Sequence, residues 1–113
     1  QTIEQMIKQL EKLVDVLSVK LLKPDETVSR QLVLFKVKAT AKTRSEIANV
    51  SDIFRSKIID LSPNSLTIEM TGTEAKIEAM HQMLKDYGVL EIVRTGAIAI
   101  ERGNNILKHR EED

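Results

Sequence analysis

The chain contains no cysteine and no tryptophan, and only one tyrosine and two phenylalanines among its 113 residues. Without thiols there is no disulfide scaffold, thiolate metal site or cysteine nucleophile, and the composition suits a reducing cytoplasm, the compartment expected. Apolar runs are short, on the scale of Leu32-Val33-Leu34-Phe35, far below the roughly 18 residues of a bilayer span, so no membrane-spanning helix is expected. Lysine plus arginine and aspartate plus glutamate both total 17, which leaves no basic field to gather nucleic acid. The four glycines stand apart from one another, so no glycine-rich phosphate loop exists. Gln1 opens the chain without methionine or signal-peptide pattern, and the sequence reads as beginning partway through a longer protein.

The 42% hydrophobic and 30% charged residues are those of an ordinary globular chain, enough for one compact domain or two very small ones. Ile3, Met6, Ile7, Leu10, Leu13, Val14 and Leu17 recur at steps of three and four, which predicts a helix from about Thr2 to Leu13. Leu17, Val19 and Leu21 then alternate with polar residues as in a half-buried strand. The polar, proline-bearing stretch 23–30 reads as a linker.

Beyond it, Val33, Phe35, Val37 and Ala39 alternate with Lys36 and Lys38, a strand with one wet side. A helix over about Ser45 to Arg55 carries the stripe Ile47, Val50, Ile53 and Phe54. It leads to a strand from Lys57 to Leu61, turn residues Ser62-Pro63-Asn64-Ser65, and a strand with Leu66, Ile68 and Met70 on one side. Thr71 and Glu74 have capping-box spacing, with Thr73 a competing N-cap, before the stripe Ile77, Met80, Leu84 and Tyr87. Gly88 suits a left-handed helix end. The last strand starts at Val89, bends or bulges at Arg94-Thr95-Gly96, and resumes at Ala97-Ile98-Ala99-Ile100. A charged tail closes the chain from Lys108 to Asp113.

Residues 31–102 thus run strand, helix, strand, strand, helix, strand, the α+β, ferredoxin-like βαββαβ order. Right-handed crossovers put its first and third strands at the centre of an antiparallel sheet and its second and fourth at the edges, with the helices on one face. Residues 1–22 repeat the closing helix and strand of the same unit.

Catalysis finds little support. The serines, His81, His109 and the acids show no triad spacing, Glu74 and Glu78 form a surface pair, and Glu111-Glu112-Asp113 is a terminal charge run. His81 falls beside the core stripe of its helix, where a half-wet structural role is expected rather than metal ligation. RNA-recognition domains share the strand order but stack bases on aromatics of the central strands, where this sequence offers only Phe35. Lys36, Lys38, Thr67 and Glu69 mark an open sheet face suited to binding or regulation.

Four runs, QLEKLVDVLSV (Gln9 to Val19), FRSKIIDLSP (Phe54 to Pro63), TGTEAKIEAM (Thr71 to Met80) and VRTGAIAIERG (Val93 to Gly103), resemble the small regulatory subunit of acetohydroxyacid synthase, also called acetolactate synthase. The resemblance implies that residues 1–22 close an N-terminal ACT domain whose larger part is not in this sequence. It also implies a linker over 23–30, an ACT-like ferredoxin-like domain over 31–103 and a tail over 104–113. It implies a non-catalytic homodimer that binds and activates a large catalytic subunit using thiamine diphosphate, Mg2+ and FAD, and confers feedback inhibition by branched-chain amino acids such as valine. The family holds its effector on elements of the first domain that this sequence does not contain, so no effector-binding residue is assigned. Arg55, Asp60, Arg94 and Arg102 in the matching runs are the candidates for partner contact, although arginines flanking strands are also commonly solvated or locally paired. No catalytic or metal-ligating residue, nucleic acid or membrane is expected. The alternative is a stand-alone ACT-like ligand-binding or oligomerisation module.

Overall fold

A computed structural model describes residues 2–11 and 20–107. The elements are α1 (Ile3–Glu11), a short 3-10 helix (Pro24–Glu26), β1 (Thr27–Lys38), α2 (Arg44–Ile53), β2 (Lys57–Ser62), β3 (Ser65–Gly72), α3 (Glu74–Leu84), β4 (Val89–Arg94) and β5 (Ile98–Glu101). The chain divides into two compact units, Gln1–Val28 with Ala99–Asp113, and Ser29–Ile98.

The sheet runs β2-β3-β1-β4, with β5 also pairing β1. The β1–β3, β1–β4 and β2–β3 ladders are antiparallel. The first and third strands are therefore central, as the crossover argument requires. Strict alternation builds the core: Val33, Phe35 and Val37 of β1 and Leu66, Ile68 and Met70 of β3 point to one side and are buried. Ile47 and Val50 of α2 and Ile77, Met80 and Leu84 of α3 cover that side, with Phe54, Tyr87, Val89 and Ile92 packed at its margin.

Local chemistry sets the boundaries. Thr73, extended at φ −79° and ψ 164°, is the N-cap of α3, its Oγ1 accepting from the Lys76 N–H at 3.4 Å. Thr71 is held in β3 opposite Leu32, so the capping-box reading gives way to strand pairing. The helix before β2 stops at Ile53 rather than Arg55, because Arg55 adopts φ 55° and turns the chain. Ile53 consequently leaves the stripe and is exposed. Gly88 has φ 103°, the expected sign, but lies past a turn beyond the end of α3, with its carbonyl accepting from the Lys38 N–H at 2.8 Å. Arg44 ties α2 to the β2–β3 turn, its Nη2 donating to the Ser62 carbonyl at 3.2 Å and to the Pro63 carbonyl.

The expected final strand is two strands, β4 and β5, separated at Gly96 with φ 82°. The stretch 23–30 carries the 3-10 helix and the first residues of β1, and the buried Thr27 donates through Oγ1 to the Lys23 carbonyl at 2.6 Å. In the first unit, α1 presents Ile3, Met6 and Leu10 to solvent. The strand expected around Leu17 to Leu21 and the tail from Lys108 fall largely or wholly outside the described residues.

Candidate interaction surface

The second unit carries helices on one side of its sheet only, so the other side is its broad free surface. Register fixes what stands there. Leu34 of β1 lies between Glu69 of β3 and Val93 of β4, and the next row holds Lys36 between Thr67 and Glu91. Lys57 and Asp60 of β2 extend these rows through Glu69 and Thr67. Lys36 Nζ lies 3.7 Å from Glu91 Oε1, both ends exposed, a pair worth well under about 1 kcal/mol in water. Leu34, Lys36, Thr67, Glu91 and Val93 line a shallow groove of about 170 Å³.

At the end of the same unit, the helix side of the sheet holds a second polar cluster. The Arg94 guanidinium donates to Glu74 Oε1 at 3.0 Å, and the Gln31 amide donates to Glu74 Oε2. These hydrogen bonds, Gln31's first, hold the Glu74 carboxyl below the usual carboxylate range. Gln31 continues the alternation of Val33, Phe35 and Val37 and is buried. Glutamine at a core-facing strand position is the sequence signal that a polar partner lies above it, a signal that apolar periodicity does not carry.

The three candidate contact residues of the second unit, Arg55, Asp60 and Arg94, stand on different elements, and Arg102 belongs to the first unit. Arg55 is exposed at the end of α2, Asp60 is exposed on β2, and Arg94 is engaged with Glu74. Arg102 follows β5 in the first unit, its backbone N–H donating to the Glu26 carbonyl at 2.9 Å. Among the described residues no hydrogen bond or ion pair joins any two of the four. His81 is half-buried with its ring 6.1 Å from that of Phe35, a packing position. Among the described residues no cluster of histidine, aspartate and glutamate is placed to hold a metal ion. The first unit has a cavity of about 410 Å³ lined mainly by Leu22, Ile100, Ile106 and Leu107, with Lys20 Nζ 2.6 Å from Glu101 Oε1 at its polar side.

Residues 30–103, nearly coincident with this second unit, match the family described as the small subunit of acetolactate synthase. The chain belongs to that family. It is 47% identical over 109 residues to the acetolactate synthase small subunit of Haemophilus influenzae, covering 95% of this chain and 67% of that protein. A probable acetolactate synthase small subunit of Methanothermobacter thermautotrophicus is 44% identical over 106 residues, covering 93% of this chain and 63% of its own length. The crystal structure of the acetolactate synthase small subunit from Thermotoga maritima superposes with a TM-score of 0.79 at 41% identity, over 91% of this chain and 65% of that one. The chain spans about three fifths of the length of the curated relatives it matches, as with the 59% covered of the Mycolicibacterium smegmatis small subunit.

Proposed function

We propose that this chain acts as a non-catalytic regulatory subunit: it binds the large catalytic subunit of acetolactate synthase, raises its activity, and confers feedback inhibition by a branched-chain amino acid such as valine. The observation that carries the reading is the match of residues 30–103 to the small-subunit family of that enzyme. The strand order β2-β3-β1-β4 with two helices on one face supports an ACT-like, ferredoxin-like assignment for residues 31–103. In this reading residues 1–22 belong to a preceding ACT domain, 23–30 connect the two, and 104–113 form a tail. The partner uses thiamine diphosphate, Mg2+ and FAD, the subunit is a cytoplasmic homodimer, and Arg55, Asp60, Arg94 and Arg102 are the candidates for contact, all exposed, with Arg94 also paired to Glu74.

Regulation of this kind requires a coupling free energy. The effector must bind the inhibiting arrangement more tightly than the activating one, typically by about 1–3 kcal/mol. The test is acetolactate formation by the purified large subunit, loaded with its cofactors, with and without this chain. Turnover is expected to rise on addition, with none from this chain alone. Turnover by the isolated chain, or a large subunit that neither binds it nor responds to it, overturns the reading. Alanine at Arg55, Asp60 or Arg102 that leaves stimulation unchanged in a folded protein removes that residue from the contact.

A further inference from the structure

We propose that the Gln31–Glu74–Arg94 cluster, which lies wholly in the second unit, couples the two units of the chain, with Arg94 acting as a positioning residue through Glu74. The chain passes from one unit to the other twice, within β1 at Val28–Ser29 and within β5 at Ile98–Ala99, and these two strands pair with each other. Any influence that one unit has on the other through the backbone therefore travels along this strand pair. Its weak point is on the second unit's side: β4 ends at Arg94, β5 starts at Ile98, and Gly96 between them has φ 82°. A ladder interrupted by a glycine bends unless other groups hold it.

The holding groups stand at that point. The Thr95 N–H donates to the Leu32 carbonyl and the Leu32 N–H donates to Thr95 Oγ1, both at 3.0 Å, so a side chain takes the place of a backbone acceptor. One residue earlier on each strand, the Arg94 guanidinium and the buried Gln31 amide both donate to the Glu74 carboxylate. Glu74 sits in the first turn of α3, and Ile77, Met80 and Leu84 fix that helix in the core. One carboxylate thus grips both strands of the pair from a packed helix. Removing it also takes this acceptor from the buried Gln31 amide, so the grip fails as a unit.

Amide-resolved hydrogen exchange of this chain tests the coupling. On the first unit's side the segments that continue these strands are joined by the Arg102 N–H, which donates to the Glu26 carbonyl at 2.9 Å. Glu74→Ala and Arg94→Gln are each expected to speed exchange at Leu32 and Thr95 by about threefold or more, and to carry the increase across the crossings to Arg102. The double variant adds little to either single one, because both remove the same grip. Thr73→Ala weakens α3 at its N-cap without touching either strand, and is expected to leave Arg102 at the wild-type rate. An increase that stops at Thr95 makes the cluster a local tie and overturns the coupling, as does an equal increase at Arg102 in Thr73→Ala.

A second arm, which rests on the proposed function, titrates the large subunit with each variant. Loss of coupling lowers the plateau of stimulation at an unchanged half-saturating concentration, whereas partial unfolding or a lost contact raises that concentration. An Arg94→Gln curve shifted along the concentration axis with its plateau intact makes Arg94 a contact and overturns the positioning role. A wild-type chain that gives no stimulation overturns the proposed function, and the exchange measurement by itself then decides the coupling.

Discussion

Arg94 at the end of β4 and Glu74 at the start of α3 meet at 3.0 Å, and the other Glu74 oxygen accepts from Gln31 of β1. One carboxylate therefore ties the central strand and an edge strand to the first turn of a helix, where the exposed N–H groups also favour negative charge.

This arrangement gives stability a dependence on acid. Glu74 titrates lower in the folded protein than in the unfolded chain. Its contribution is thus fully present above the ordinary carboxylate range and drains away as pH falls through the depressed folded value. Thermal unfolding of the wild type and Glu74→Gln across a pH series is expected to show the wild type ahead at neutral pH and the two converging in acid. A gap that does not change with pH contradicts the assignment.

Thr73 supplies the N-cap hydrogen bond of α3 to Lys76. Thr73→Ala is expected to lower stability by about 1 kcal/mol, read from the urea midpoint at unchanged slope, whereas Thr73→Ser retains most of it.

Arg55 occupies left-handed space with φ 55°, where a Cβ is disfavoured. Arg55→Gly is expected to stabilise the fold by up to about 1 kcal/mol, and Arg55→Val to destabilise it. Because Arg55 is also a candidate contact, the same glycine variant separates roles: a more stable subunit that no longer stimulates the large subunit assigns the side chain to the partner.

Ile68 is fully buried between β1 and the helices, while Leu90 on β4 is 59% exposed. Ile68→Ala is expected to cost about 2–5 kcal/mol and Leu90→Ala within about 0.5 kcal/mol, by denaturant titration. Comparable losses at both positions contradict the assignment of the core side.

The core was legible because it rests on period. Val33, Phe35 and Val37, the β3 triplet and Ile77, Met80 and Leu84 all lie where alternation or helical spacing puts them. Boundaries were less legible, since they depend on competition between local and long-range bonds. Thr71 has a cap's spacing yet is taken by pairing with Leu32, and nothing in an arginine announces the left-handed turn at Arg55. The Glu74 cluster joins β1 to α3 across 43 residues, a separation no periodicity spans. For the candidate contacts, the residue types were readable and their neighbours were not: Arg94 has a partner within the unit, while Arg55 and Asp60 are exposed.

The central position of β1 sets the order in which the molecule comes together. The β2–β3 hairpin closes across Pro63 and Asn64 and can zip in microseconds on its own. β1 has no such neighbour in sequence: Val33 waits for Met70 on one flank and Arg94 on the other. On the ribosome it emerges ahead of the other strands of its sheet, and it stays an open pairing template until β3 and β4 have cleared the exit tunnel.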